Sequence, residues 1–121
     1  MPWYAAHAVM FVQFKDGVQD HYPVWENILL IGAPDGDAAY ELAIARAKED
    51  EGDANSSFTW DDRPARWVYA GIRKLISVSH QSPTDEIGSG DELTYSEFDL
   101  PDREALDRLV AGDEVGLKYV E

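Results

Sequence analysis

The stretch WYAAHAVMFVQF, residues 3–14, decides the fold because every second residue in it is apolar. The even-numbered residues of this apolar face are Tyr4, Ala6, Ala8, Met10, Val12 and Phe14. Alternation of this kind predicts a β-strand with one face in the core. The odd-numbered face mixes apolar residues with His7 and Gln13, so we expect a second layer to cover it in part. We expect His7 to be half-buried and hydrogen-bonded there.

The residues that follow predict a turn, a second strand and a helix. A turn signal at 15–17 precedes a second apolar strand over residues 22–33. Residues 33–53 then predict a helix with Asp35 as its N-cap and Gly52 as its stop signal. The apolar stripe of this helix is small, which predicts close packing on the sheet. The stripe consists of Ala39, Leu42, Ala43 and Ala47.

Residues 57–79, SFTWDDRPARWVYAGIRKLISVS, predict a hairpin of two further strands. A four-residue loop at 61–64 places Trp60 and Trp67 on the same face, whereas a five-residue loop would place them on opposite faces. The loop sequence Asp-Asp-Arg-Pro favours the four-residue form. Gly71, in the middle of the second strand, predicts a bulge or a close backbone approach.

The rest of the chain predicts a loop, a strand, a helix and a last strand. Residues 80–92 are polar and rich in Gly, Ser and Pro, which is typical of a surface loop. A strand over 93–100, a helix over 101–112 and a strand over 114–120 follow. The order β-β-α-β-β-β-α-β predicts an α+β fold in one domain, residues 1–121. We expect a mainly antiparallel sheet of about six strands with two helices packed on one face.

The composition limits the chemistry. The chain has 121 residues, no cysteine and a formal net charge of −14. The lack of cysteine excludes disulfides, thiolate zinc sites, iron–sulfur clusters and a cysteine nucleophile. The negative charge predicts repulsion from nucleic acids and anionic membranes, and it fits solubility, a salty cytoplasm or a basic protein partner. The N-terminal apolar run is too short to span a membrane and lacks the basic region of a signal peptide, so we expect a cytoplasmic protein.

Four segments carry a resemblance to a known family. They are WYAAHAVMF at 3–11, ENILLIGAPDGDAAYELA at 26–43, WVYAGIRKL at 67–75 and GDELTYSEF at 90–98. In this order and spacing they resemble an uncharacterised bacterial family catalogued as domain of unknown function 4288. The resemblance covers most of the chain and is weakest from Pro101 onward. It implies an α+β fold and no known activity, and it brings no established catalytic or binding residues.

No motif for catalysis or cofactor binding stands out. Gly88-Ser89-Gly90 lacks the third glycine of a nucleotide-binding loop, and the two carboxylates that follow would repel a phosphate. The three histidines lack the spacing of a zinc site, and the acidic stretches lack the glycine and glutamate of an EF-hand. We therefore expect no cofactor and no metal site, and the sequence favours a non-catalytic protein.

Two hypotheses for function follow from these residues. The first is an interaction module that forms a homodimer or binds a basic protein, because aromatic residues and Arg are favoured at interface cores. Its predicted partner face consists of Trp60, Trp67, Tyr69 and Arg73. The alternative for the two tryptophans is that they only cover the hairpin or a helix.

The second hypothesis is a small-ligand or metal-dependent activity in a cleft beside the 80–92 loop. A long loop in a compact domain motivates it. The candidate ligand-binding residues are His80, Asp85, Glu86 and Asp91.

Overall fold

The computed structural model describes residues 1–78 and 86–120. It contains two helices and six strands in an α+β arrangement, as predicted. The elements in chain order are β1 (Trp3–Phe14), β2 (Val24–Gly32), α1 (Gly36–Lys48), β3 (Thr59–Trp60), β4 (Arg63–Ser77), β5 (Glu97–Asp99), α2 (Arg103–Ala111) and β6 (Lys118–Val120).

The main sheet has four antiparallel strands in the order β2-β1-β4-β3. β1 is a central strand: it pairs with β2 from Trp3 opposite Gly32 to Phe11 opposite Val24, and with β4 along its other side. The position of β1 explains why both of its faces are apolar in sequence. Its buried residues include Ala5, Ala6, His7 and Ala8, so neither face is open to solvent at its middle.

Helix α1 packs on the face formed by the even-numbered residues of β1. Asp35 caps its N-terminus, as predicted, and its side chain accepts a hydrogen bond from the Ala38 amide at 2.8 Å. Three of the four predicted stripe residues are buried: Ala39, Ala43 and Ala47. The prediction was wrong for Leu42, which is 48% exposed. Small side chains alone meet the sheet, so the helix axis lies close to it.

Strand β4 carries the bulge that was predicted near Gly71. The register with β1 shifts between His7 and Ala8, and again between Val9 and Met10. These shifts leave Arg73 and Ala70, which flank Gly71, without an opposite residue. Each extra residue reverses the alternation of side chains between the two faces of the sheet.

The loop of the predicted hairpin is shorter than expected. Trp60 lies opposite Arg63, so the connection is the two residues Asp61 and Asp62, not the four residues 61–64. Both have left-handed φ angles, 51° and 59°, which a two-residue type I′ turn requires and which Asp tolerates. Because two and four are both even numbers, Trp60 and Trp67 still share a face, as predicted.

The C-terminal part departs most from the prediction of one six-stranded sheet. β5 and β6 are three residues each and form a separate two-stranded antiparallel sheet. α2 follows the N-cap Asp102, which was not predicted, and ends at Gly112, the last residue of the predicted helix 101–112; Gly112 has a φ of 80°. In the part of the chain that the structure describes, α2 makes no substantial contact with the four-stranded sheet, so only α1 packs on that sheet face.

The packing of α1 predicts an asymmetric response to enlarged side chains. Ala43 is fully buried against Ala6 and Ile31, so we expect Ala43→Leu to destabilise the fold by about 1–3 kcal/mol through overpacking. Ala111→Leu, at the exposed end of α2, is the matched control and should change stability by about 0.5 kcal/mol or less. Urea denaturation of the two variants measures this difference. Equal effects would contradict close packing of α1.

Candidate functional site

Four aromatic side chains meet on the α1 side of the sheet, beyond the end of the helix. This aromatic cluster consists of Trp25, Phe58, Trp60 and Trp67. Trp67 is its centre: its ring centroid lies 4.8 Å from that of Trp25, 5.6 Å from Phe58 and 5.8 Å from Trp60. The rings of Trp25 and Trp60 meet edge to face at 6.3 Å. Such aromatic pairs each stabilise a fold by about 0.5–1.5 kcal/mol beyond area burial.

The aromatic cluster packs on a buried apolar base. Val12, Phe14 and Ala65 form this base, and Phe58, Trp60 and Trp67 lie against it half-buried. The two hairpin tryptophans therefore cover the end of the core. Trp25 extends the cluster outward and is 53% exposed.

A cavity of about 220 Å³ opens beside the aromatic cluster. Its lining residues come from three strands and from the chain after α1: Met10, Trp25, Asn27, Asp50 and Trp67. The β1–β2 register brings Met10 opposite Trp25, and the β1–β4 register brings Met10 opposite Tyr69. Met10 is buried, so the cavity has an apolar floor, two indole walls and a polar rim.

The chain that follows α1 is fastened to β4 beside this cavity. Gly52 and Trp67 exchange two backbone hydrogen bonds, of 3.1 and 2.8 Å. The Glu51 carboxylate accepts a hydrogen bond from the Tyr69 amide at 2.9 Å. The Asp50 carboxylate accepts from Arg46 at 2.9 Å, and this contact raises the pKa of the Arg46 guanidinium. The rim of the cavity is thus held in place on both sides.

The opposite face of the sheet carries a buried polar network. His7 is 1% exposed, more than the half-burial predicted for it. Its Nδ1 lies 2.9 Å from the Glu26 carboxylate, and its Nε2 hydrogen-bonds to the Thr94 hydroxyl. Arg73 donates to the same Glu26 oxygen at 2.7 Å. An imidazole with Nδ1–H directed to Glu26 accepts from Thr94 through Nε2, so both ring nitrogens of His7 have a partner.

The charge state of Glu26 depends on this network. Burial raises the pKa of its carboxyl, but the hydrogen bonds from Arg73 and His7 and the charge of Arg73 outweigh burial, so the pKa lies below its usual value. The ionised form of Glu26 is therefore the form that the fold stabilises.

The same face anchors the C-terminal residues to the sheet. The Arg73 guanidinium lies 4.6 Å from the ring centroid of Tyr119. Lys74 donates to the Tyr95 carbonyl, and its ammonium lies 3.7 Å from the Tyr95 ring centroid. Together with the bond from His7 to Thr94, these contacts attach the C-terminal residues through polar and cation–π interactions.

The structure brings together three of the four residues of the predicted partner face. Trp60, Trp67 and Tyr69 lie on the α1 side, where burial raises the pKa of the Tyr69 phenol and nearby Tyr40 adds to the effect. The prediction was wrong for Arg73, which lies in a bulge and contacts Glu26 and Tyr119 on the opposite face. A bulge was predicted near Gly71. A bulge moves the residues after it to the other face of the sheet, and this change was not applied to Arg73.

The residues of the alternative ligand site are only partly described. His80 and Asp85 lie outside the described residues. Glu86 is exposed, and Asp91 accepts a hydrogen bond from the Gly88 amide at 2.8 Å. Within residues 1–78 and 86–120, no three His, Asp or Glu side chains come together in a way that could hold a metal ion.

A third surface, which the sequence analysis missed, is the outer edge of β2. No described strand pairs with that edge. A groove of about 550 Å³ runs between it and α1, and its apolar lining includes Ile28, Leu30 and Leu42, each close to half exposed. The sequence signal was present: residues 27–34, NILLIGAP, contain no charge in a strongly acidic chain.

The comparisons with known proteins identify a family for this chain. The chain belongs to the family described as Domain of unknown function (DUF4288), which matches residues 3–94. The matched region contains the four-stranded sheet, α1 and Thr94, and it ends before β5. No curated protein and no solved structure matches the chain. Among the described residues, no helix has the length and apolar character needed to cross a membrane.

The lowered pKa of Glu26 predicts how its contribution to stability changes with pH. Because the folded-state pKa lies below the unfolded value, the carboxylate stabilises the fold at neutral pH, and this stabilisation is lost as the pH falls through the folded pKa. We expect Glu26→Gln to be less stable than wild type at about pH 7, and the difference to be smaller at about pH 3.

Urea denaturation at both pH values measures this difference. Glu41→Gln, an exposed carboxyl on α1, is the control and should change stability little at either pH. A gap between wild type and Glu26→Gln that stays constant or widens in acid would contradict the role of the network.

Proposed function

We propose that this domain is an interaction module that forms a homodimer by pairing the outer edges of two β2 strands. The observation that carries the proposal is a sheet edge that no strand of residues 1–78 and 86–120 covers and whose sequence carries no protective feature. Exposed edges in monomeric proteins are blunted by charged residues, Pro or bulges. The segment 27–32 of β2 has none of these, and its register with β1 is regular.

The backbone geometry identifies which groups point outward from β2. Val12 donates to the Pro23 carbonyl, and Ala33 donates to the Pro2 carbonyl, so the odd-numbered residues of this region exchange hydrogen bonds with β1. Antiparallel pairing alternates these groups along a strand. The amides and carbonyls of Ile28 and Leu30 therefore point to the open edge and are available to a second strand.

A two-fold axis at Leu29 matches this pattern. Antiparallel pairing about that residue places Ile28 of one copy opposite Leu30 of the partner subunit, and this pair has the outward-pointing backbone groups. Leu29 then faces its own equivalent on the α1 side. At the centre of the joined sheet, apolar residues meet apolar residues on both faces.

The charge distribution favours a second copy at this edge. Two chains that each carry a formal charge of −14 repel one another, so they can associate closely only where charge is absent. Residues 27–34 provide that surface. With the axis at Leu29, Glu26 lies opposite Gly32 of the partner subunit and not opposite another carboxylate.

The groove beside β2 adds the area that a strand pair lacks. A stable interface buries about 800 Å² on each partner, which exceeds what one strand edge offers. Leu42, on the outer side of α1, is 48% exposed and lines the groove together with Ala45. Leu42 was predicted to be buried in the apolar stripe of α1. Its exposure is explained if the partner subunit covers the groove.

Sedimentation of wild type and Leu30→Lys tests the proposal. We expect wild type to be dimeric at about 100 μM, and Leu30→Lys to weaken dimerisation about tenfold or more, because a Lys side chain replaces an apolar one in the joined sheet. The substitution also lowers the net negative charge, which by itself favours association. Weaker association would therefore report a local effect at the edge.

Val110→Lys is the matched control, since it makes the same charge change at an α2 residue that is 80% exposed. It should leave the dimer intact. Hydrogen exchange adds a local readout: the Ile28 and Leu30 amides should be protected in wild type and should exchange faster in Leu30→Lys. A wild type that stays monomeric at about 100 μM, or a Leu30→Lys variant as dimeric as wild type, would refute the proposal.

A further inference from the structure

We propose that the cavity beside the aromatic cluster binds a small organic cation with a methylated, quaternary ammonium group. The cavity of about 220 Å³ is smaller than the pockets of about 300 Å³ or more that take drug-sized ligands, so it suits a compact group. Its lining combines aromatic faces with a carboxylate. The inference does not depend on the dimer, because the cavity uses none of the outward-pointing groups of β2.

The walls of the cavity are suited to a cation. Trp25 and Trp67 have ring centroids 4.8 Å apart and planes tilted by 49°, and both indoles line the cavity together with Met10. The π-face of Trp attracts a cation within about 6 Å of the ring centroid more strongly than other aromatic rings do. Trp60 meets both indoles edge-on and fixes their orientation.

The electrostatic surroundings add to this attraction. Asp50 lies at the rim of the cavity, and its Oδ1 atom accepts a hydrogen bond from Arg46. Helix α1 ends at Lys48, so the partial negative charge of its C-terminus lies next to Asp50. Glu49 and Glu51 flank Asp50 in the chain, and the protein as a whole carries a net charge of −14.

The apolar floor selects the kind of cation. Met10 is 2% exposed, and of the lining residues only Asp50 and Asn27 carry side-chain oxygens, fewer than the three or more protein ligands that a metal site commonly has. A quaternary ammonium spreads its charge over methyl groups and binds to such surfaces without losing strong hydration. Asn27 completes the rim, and among the described residues none is hydrogen-bonded to its side-chain amide, which can bind a polar group of the ligand.

Titration with choline, followed by tryptophan fluorescence and calorimetry, tests the inference. We expect saturable binding of one choline per chain. 3,3-Dimethyl-1-butanol has the same shape as choline but no charge, and ethanolamine has the charge but no methyl groups. Each should bind at least about tenfold more weakly than choline. Absence of saturable choline binding, or equal binding of the uncharged analogue, would overturn the inference.

Two variants assign the binding to the cavity. Trp25→Leu keeps an apolar side chain at a half-exposed position but removes the π-face, and Asp50→Asn removes the rim charge, so each should weaken choline binding several-fold. Asp107→Asn is the control, because Asp107 pairs with Arg103 on α2 as Asp50 pairs with Arg46 on α1. Circular dichroism checks the folding of each variant. Wild-type affinity in Trp25→Leu, or equal losses in Asp50→Asn and Asp107→Asn, would also overturn it.

Discussion

The structure depends on the burial of both faces of one strand. β1 is alanine-rich at its middle, with Ala5, Ala6 and Ala8 buried, and this lets α1 approach from one side while the polar network forms on the other. Small side chains on a central strand leave little apolar area for each residue, so close approach must replace bulk. The larger aromatic residues are used where α1 ends and the sheet continues uncovered, at Trp25, Trp60 and Trp67.

The two faces of the sheet use different chemistry for different tasks. On the α1 side, apolar burial and aromatic contacts build the core and leave one small cavity at its margin. On the other side, His7 and Glu26 replace apolar packing with hydrogen bonds. Hydrogen-bonded polar groups inside a fold specify one arrangement of the chain more sharply than apolar contacts do, because a shift separates the partners.

Sequence periodicity predicted the elements well and their assembly less well. The alternation of residues 3–14, the cap at Asp35 and the end of α2 at Gly112 depend on local chemistry, and the structure confirms them. The separate β5–β6 sheet depends on contacts between distant segments, which local patterns do not encode. Arg73 lies on the other face of the sheet because it occupies a bulge. The position of that bulge depends on how β4 pairs with β1.

The candidate sites likewise combine features that local sequence patterns predict with features that depend on strand pairing. The shared face of Trp60 and Trp67 was predictable because it depends only on whether the hairpin loop has an even or an odd number of residues. The addition of Trp25 needed the β1–β2 register, which places Trp25 opposite Met10, and a hairpin of uncertain loop length does not supply that register. The edge of β2 was missed because the order of strands in a sheet, and hence which strand is outermost, cannot be read from periodicity.

The attachment of the C-terminal residues has a consequence for the dynamics of the protein. Among the described residues, their contacts with the sheet include the cation–π contacts of Arg73 and Lys74, which weaken in salt more than apolar packing does. We therefore expect β5, α2 and β6 to detach at a lower free energy than the four-stranded sheet unfolds. Detachment would admit water to the imidazole of His7. The polar junction between the C-terminal residues and the sheet therefore controls solvent access to this buried side chain.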